Sequence, residues 1–140
     1  MINRLDARAA LELIGEGRLG RLGCVLDDGP YVVPVNYVSD EQFIYIHSLP
    51  GTKIEALRAN PRACLQVDEI KNAFEWRSAI VFGTYEEITD EEERDHALQQ
   101  ILNRFPQFTP VETAMSQVHG LPETIIFRLR IEKVTGVTEG

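Results

Sequence analysis

The densest group of residues able to do chemistry in this chain is His47-Ser48-x-x-Gly51-Thr52-Lys53. It lies where an extended apolar run ends and a helical pattern begins. A helix start exposes unpaired N–H groups and the positive end of the helix dipole, and both favour an anion. Gly51 lets a ligand approach the backbone, Ser48 and Thr52 carry hydroxyls, and Lys53 carries a positive charge. A phosphate monoester needs each of these. Taken by spacing alone, the same residues read first as an ordinary helix cap, with Ser48 or Thr52 capping and Lys53 in solvent. The pattern is not a Walker loop, which requires a longer glycine turn and a Lys-Ser/Thr pair.

Two further segments carry polar residues in apolar surroundings. In Pro34-Val35-Asn36-Tyr37, the amide of Asn36 offers both a donor and an acceptor, suited to the edge of a planar heterocycle. The plainer reading is an outward-facing Asn on an edge strand, which Pro34 also fits. In Trp76-Arg77-Ser78, Trp76 is a stacking surface and Arg77 can pair with a phosphate through two N–H groups. The plainer reading there is a half-buried Trp beside a surface Arg. Of the three histidines, His96 falls on a charged helix face and His119 in a turn, so neither is expected to act chemically. No HExxH, GxSxG, GxGxxG or paired metal-ligand motif is present, so no metal is expected. Tyr37 and His47 are the only candidates for moving a proton.

Composition narrows the partners. A length of 140 residues suits one domain over 1–140, with a core that needs neither disulfides nor metal. The net charge of −8 argues against nucleic acid and against an anionic membrane surface. A locally positive pocket for an anionic small molecule remains compatible with it. Cys24 and Cys64 sit in apolar stretches without CxxC spacing and read as small hydrophobes. No run approaches the length of a membrane span, and the N-terminus has no apolar signal segment, so a cytoplasmic protein is expected.

The elements that must position these residues can be read from periodicity. Asp6 caps a helix whose apolar face is Ala9, Ala10, Leu13 and Ile14, ended by Gly15 and Gly17. Strands over 19–26, 31–38 and 43–47 form a meander, with Asp28-Gly29 as a hairpin signal. A short helix with Ile54, Ala56 and Leu57 on one face stops before Asn60-Pro61. A fourth strand covers 63–67, a polar stretch covers 68–75, and a long strand covers 76–88, with Gly83 a bulge or close-approach point. A helix beginning with acids after Thr89 runs to about Phe105, and a short helix spans 111–118. The last strand, 124–134, alternates apolar with charged residues. The sum is a mostly β (α+β) fold: an antiparallel split β-barrel of about six strands with peripheral helices.

In their order, these segments resemble the pyridoxamine 5′-phosphate oxidase-like FMN-binding split-barrel superfamily, and within it the short bacterial branch similar to nitroimidazole-resistance proteins. The resemblance runs from Gly20-Arg21-Leu22-Gly23 through 34–37 and 44–48 to Gly51–Pro61 and 76–83, and covers about residues 5–135. It implies a homodimer with FMN at the interface. Lys53 and Thr52, with Ser48 or His47, would hold the phosphate. Val35, Asn36 and Tyr37 would lie along the isoalloxazine edge. Trp76, Arg77 and Ser78 would line the other side, some of these contacts coming from the partner chain. The implied activity is an FMN-dependent oxidoreductase acting on a small aromatic or nitro compound; the alternative is a non-catalytic flavin or haem carrier or sensor. Some relatives take haem or a deazaflavin instead of FMN. Two departures point away from vitamin B6 oxidation. Thr52-Lys53 stands where the oxidases proper have Arg-Lys, and the C-terminal Arg-x-His motif is missing.

Overall fold

The protein is described here from a computed structural model that covers residues 1–106 and 124–140. The helix expected over 111–118, the loop to Pro110 and the turn at His119 lie outside the described residues. In chain order the elements are β1 (Ile2–Leu5), α1 (Ala7–Glu16), β2 (Leu19–Leu26), β3 (Gly29–Asn36), β4 (Val38–Ser39) and β5 (Phe43–Ser48). Then follow α2 (Thr52–Ala59), β6 (Arg62–Asn72), β7 (Glu75–Glu87), α3 (Glu91–Arg104) and β8 (Ile125–Glu139). The strands form one antiparallel sheet in the order β3-β2-β6-β7-β8-β5-β4, with β1 paired to β8. The sheet does not close on itself, and the architecture is the expected α+β split barrel.

Alternation along the strands sets the core. Leu22, Leu65, Val67, Ala79 and Val81 all face inward, because a period of two puts every second side chain on the same face. Onto them pack Ala10, Leu13 and Ile14 of α1 and Ile54 and Leu57 of α2. A smaller core joins Ala97 and Ile101 of α3 to Val38, Tyr45 and Ile126. Cys24 is buried and Cys64 half-buried, both free thiols in apolar surroundings. Gly83 is a close-approach point as expected: a Cβ there would collide with the Arg130 carbonyl oxygen, and the β7–β8 register shifts between Phe82 and Gly83.

Four details differ from the sequence-based expectation. Among the described residues the sheet has eight strands, because Ile2–Leu5 pairs with the end of β8 and Val38–Ser39 is a separate short strand after a break at Tyr37. The polar stretch 68–75, read as lying between two strands, is itself the end of a β6–β7 ribbon, with a register shift between Ile70 and Asn72. Its residues are mostly exposed, so backbone pairing holds it without any apolar signature. β8 runs on to Glu139, because the register shift beside Glu132 reverses which residues face inward and so ends the visible alternation early. Finally, α1 continues through Gly15 and is capped at Gly17.

Candidate functional site

The β5–α2 connection opens onto a groove of about 470 Å³ lined by Pro34, Val35, Asn36, His47, Ser48, Leu49, Pro50, Gly51 and Lys53. That volume is within the range of small-molecule sites. Lys53 is the one lysine or arginine among the described lining residues, and no described lining residue is a carboxylate. Among the described residues Lys53 has no ion-pair partner. α2 begins at this groove with Gly51 as its N-cap and no side-chain cap hydrogen bond. The reading of Ser48 or Thr52 as the cap is therefore not what the structure has. The buried Ser48 instead donates its hydroxyl to the Leu49 carbonyl at 2.7 Å. Thr52 stands exposed at the first helical position, outside the lining. Uncapped N–H groups, a lysine and the absence of nearby acid together make the groove suited to an anion.

The helix is held from its other end. Arg58 in its last turn donates to both carboxylate oxygens of Glu87, at 2.9 and 3.1 Å, and the Tyr85 hydroxyl donates to the same carboxylate at 2.6 Å. The hydrogen bonds from Arg58 and Tyr85 hold the Glu87 carboxyl below its ordinary pKa. Leu57 and Ile54 anchor the buried side of α2.

Of the strand residues singled out in the sequence, Asn36 lines the groove and donates weakly, at 3.4 Å, to the Arg18 carbonyl, leaving its amide oxygen available. Val35 lines the groove while belonging to the core. Tyr37 does not reach the groove. Its ring is buried among core residues, and its hydroxyl donates to the Ile14 carbonyl at the end of α1. Burial raises its phenol well above the usual range, so within one protomer it is a structural tyrosine.

Trp76, Arg77 and Ser78 are not brought to the groove of the same protomer; β2 and β6 stand between β3 and β7. Arg77 points to the opposite face from its neighbours, donating to Glu69 at 3.1 Å with Glu16 at 4.0 Å. Strand register does place Asn36, Pro34, Trp76 and Ser78 on one and the same open face of the sheet. That face is unusually apolar for a surface. Val32 is 66% exposed, Ile70 65% and Leu19 50%, and Val25, Phe82 and Val137 join them. Leu49 and Pro50 in the lining, and the polar residues Arg21, Gln66 and Asp68 on this face, were not singled out in the sequence. The one available signal was Gln66 and Asp68 two apart in a strand, and only register shows what they meet.

No described helix is long and apolar enough to cross a membrane, and the described residues contain no cluster able to hold a metal ion.

A family model described as pyridoxamine 5′-phosphate oxidase matches residues 6–138. An uncharacterized protein of Rhizobium meliloti, RA0666, is 31% identical over 130 residues, which are 89% of this chain and 86% of that protein. Among solved structures, a FAD-binding protein of Mesorhizobium loti is 34% identical with a TM-score of 0.79, over 100% of this chain and 98% of that one. A Bacteroides thetaiotaomicron protein provisionally assigned to 5-nitroimidazole antibiotic resistance is 25% identical with a TM-score of 0.78, over 99% of this chain and 87% of that one. The match spans both the groove and the open sheet face, and the chain belongs to the pyridoxamine 5′-phosphate oxidase-like split-barrel family.

Proposed function

We propose that this protein is a homodimeric, cytoplasmic flavoprotein that binds FMN with its phosphate at the start of α2 and acts as an oxidoreductase on a small aromatic or nitro compound. The observation that carries the reading is the uncapped N-terminus of α2 opening, with Lys53, onto a groove free of described carboxylates. The residues present fit a phosphorylated flavin. Lys53 and the first N–H groups of α2 would hold the phosphate, and Asn36 offers an amide oxygen to the ring edge. The similarity to a protein named as FAD-binding supports a flavin at this site.

Dimerisation is supported by the open face itself. Contiguous exposed apolar side chains on a folded domain mark a surface that another protein covers. A second copy of the chain lying on this face would bring its own Trp76 and Ser78 near the groove and complete the pocket. The bound flavin supplies the hydride chemistry. The chain itself binds the phosphate, orients the ring and excludes water.

The test is flavin uptake. The apoprotein is expected to turn yellow with FMN, to bind riboflavin at least about tenfold more weakly because the charged hydrogen bonds to phosphate are lost, and to scatter light as a dimer. Failure to take up FMN or FAD, or equal affinity for riboflavin, overturns the phosphate assignment; a monomer at micromolar concentration overturns the shared pocket.

A further inference from the structure

Four polar side chains cross the open sheet face from β2 to β7 in the middle of its apolar surface. Arg21 Nη1 donates to Asp68 Oδ2 at 2.8 Å and, more loosely, to Gln66 Oε1 at 3.4 Å. Gln66 Nε2 donates to Asp68 Oδ2 at 3.0 Å and to Ser78 Oγ at 3.0 Å. The register brings these side chains to one patch: Arg21 is paired with Gln66, and Asp68 with Ser78, across neighbouring strands, and the bonds run to direct and diagonal neighbours.

The chemistry of the partners decides which way each group points. A guanidinium only donates and a carboxylate only accepts. Arg21 therefore demands the oxygen of the Gln66 amide, and Asp68 demands its nitrogen. With the amide locked in this sense, Ser78 receives a hydrogen bond from Gln66 and cannot return one. Its single hydroxyl proton must go elsewhere, and among the described residues no acceptor takes it. Ser78 is half-buried, so this donor is held at a partly covered surface.

We propose that Arg21, Asp68 and Gln66 are positioning residues that keep the Ser78 hydroxyl proton free to donate toward a ring carbonyl or imine of the bound flavin. The inference rests on the flavin reading above and adds to it the reason why the Ser78 proton is not spent on Gln66. A fixed donor stabilises the electron-rich reduced ring more than the oxidised one, so the relay raises the flavin midpoint potential.

The experiment measures midpoint potential and FMN affinity in the wild type, Ser78→Ala, Gln66→Glu and the double variant. A glutamate at 66 can only accept, so it captures the Ser78 proton and turns it from the ring. Both single variants are expected to lower the potential, and in the Ser78→Ala background Gln66→Glu lowers it by less than in the wild type, because only its added charge then acts. Additive shifts, or an unchanged potential in either single variant with FMN still bound, overturn the proposal while leaving the flavin reading intact. A wild-type protein that takes up no flavin overturns both. If Gln66→Glu does not fold, Arg21→Met combined with Asp68→Asn removes both groups that fix the sense of the Gln66 amide without changing net charge, and an intermediate drop in potential is then expected; no drop overturns the relay.

Discussion

The three helices among the described residues begin in two different ways. α1 is capped by Asp6, whose side chain accepts from the Ala9 N–H at 2.8 Å, and α3 by Asp90, which accepts from Glu93 at 3.1 Å. α3 adds Glu91, Glu92 and Glu93 in its first turn, where acids complement the helix dipole. α2 has neither device. It starts at Gly51 with no side-chain cap, and its single first-turn acid, Glu55, is outside the groove. It is secured instead by the Arg58–Glu87 pair at its far end and by Ile54 and Leu57 beneath. A helix start satisfied by the chain's own carboxylate serves stability, whereas one left open toward a groove with a lysine leaves its N–H groups for a ligand.

The contrast can be broken most sharply at Lys53. Lys53→Ala is expected to weaken FMN binding by about 1.5–3 kcal/mol, as for loss of a charged hydrogen bond, with the apoprotein melting unchanged. Fluorescence titration measures the first and calorimetry the second; unaltered affinity would move the phosphate elsewhere.

A second test turns α2 into a helix like the other two. Gly51 has an extended φ of 170° and nothing within 4 Å of a Cβ placed there, so aspartate enters without strain. Gly51→Asp should leave the apoprotein as stable or a few tenths of a kcal/mol more so, yet cost about 1–2 kcal/mol in FMN affinity by placing an anion at the dipole end. Tighter binding in this variant would remove the argument from the missing cap.

The converse holds at the capped helices. Asp90→Ala or Asp6→Ala should lower stability by about 1 kcal/mol while FMN affinity stays the same, as thermal melts and titration on the same samples would reveal.

The smallest effect concerns the far end of α2. Arg58 and Tyr85 lower the folded pKa of Glu87, so the unfolded chain takes up this proton first as pH falls. The pair's contribution is full above the ordinary carboxylate pKa and is lost as pH drops through the folded value. Exposure of Arg58 keeps it small. Glu87→Gln should flatten the acid limb of the stability curve, and an unchanged limb would show that the pair does not anchor α2.

Much of this arrangement was legible in the order of residues. Asp6 and Asp90 announce their helices, Asn60-Pro61 ends α2, and the hairpin signal at Asp28-Gly29 falls one residue late, since Asp27 and Asp28 make the turn and Gly29 opens β3; caps, prolines and tight turns act over a few residues. The turn at 47–53 could be located but not interpreted from spacing, since a cap and an anion site use the same residue types. Whether Ser48 capped α2 or turned away to Leu49 depended on the fold around it. Tyr37 likewise looked like part of the strand motif, and only packing shows its ring buried with its hydroxyl on α1.

The chain's own order thus determined the split-barrel elements, the segment where α2 begins and the residues available there. Tertiary structure alone decided which of them share a surface. Strand register joins Arg21, Gln66, Asp68 and Ser78 across positions up to 57 residues apart in sequence (78 − 21) and puts them on the face with Asn36. A side chain's partners across a sheet depend on which strands pair and in what register, and a one-residue slip would send each of them to the opposite face.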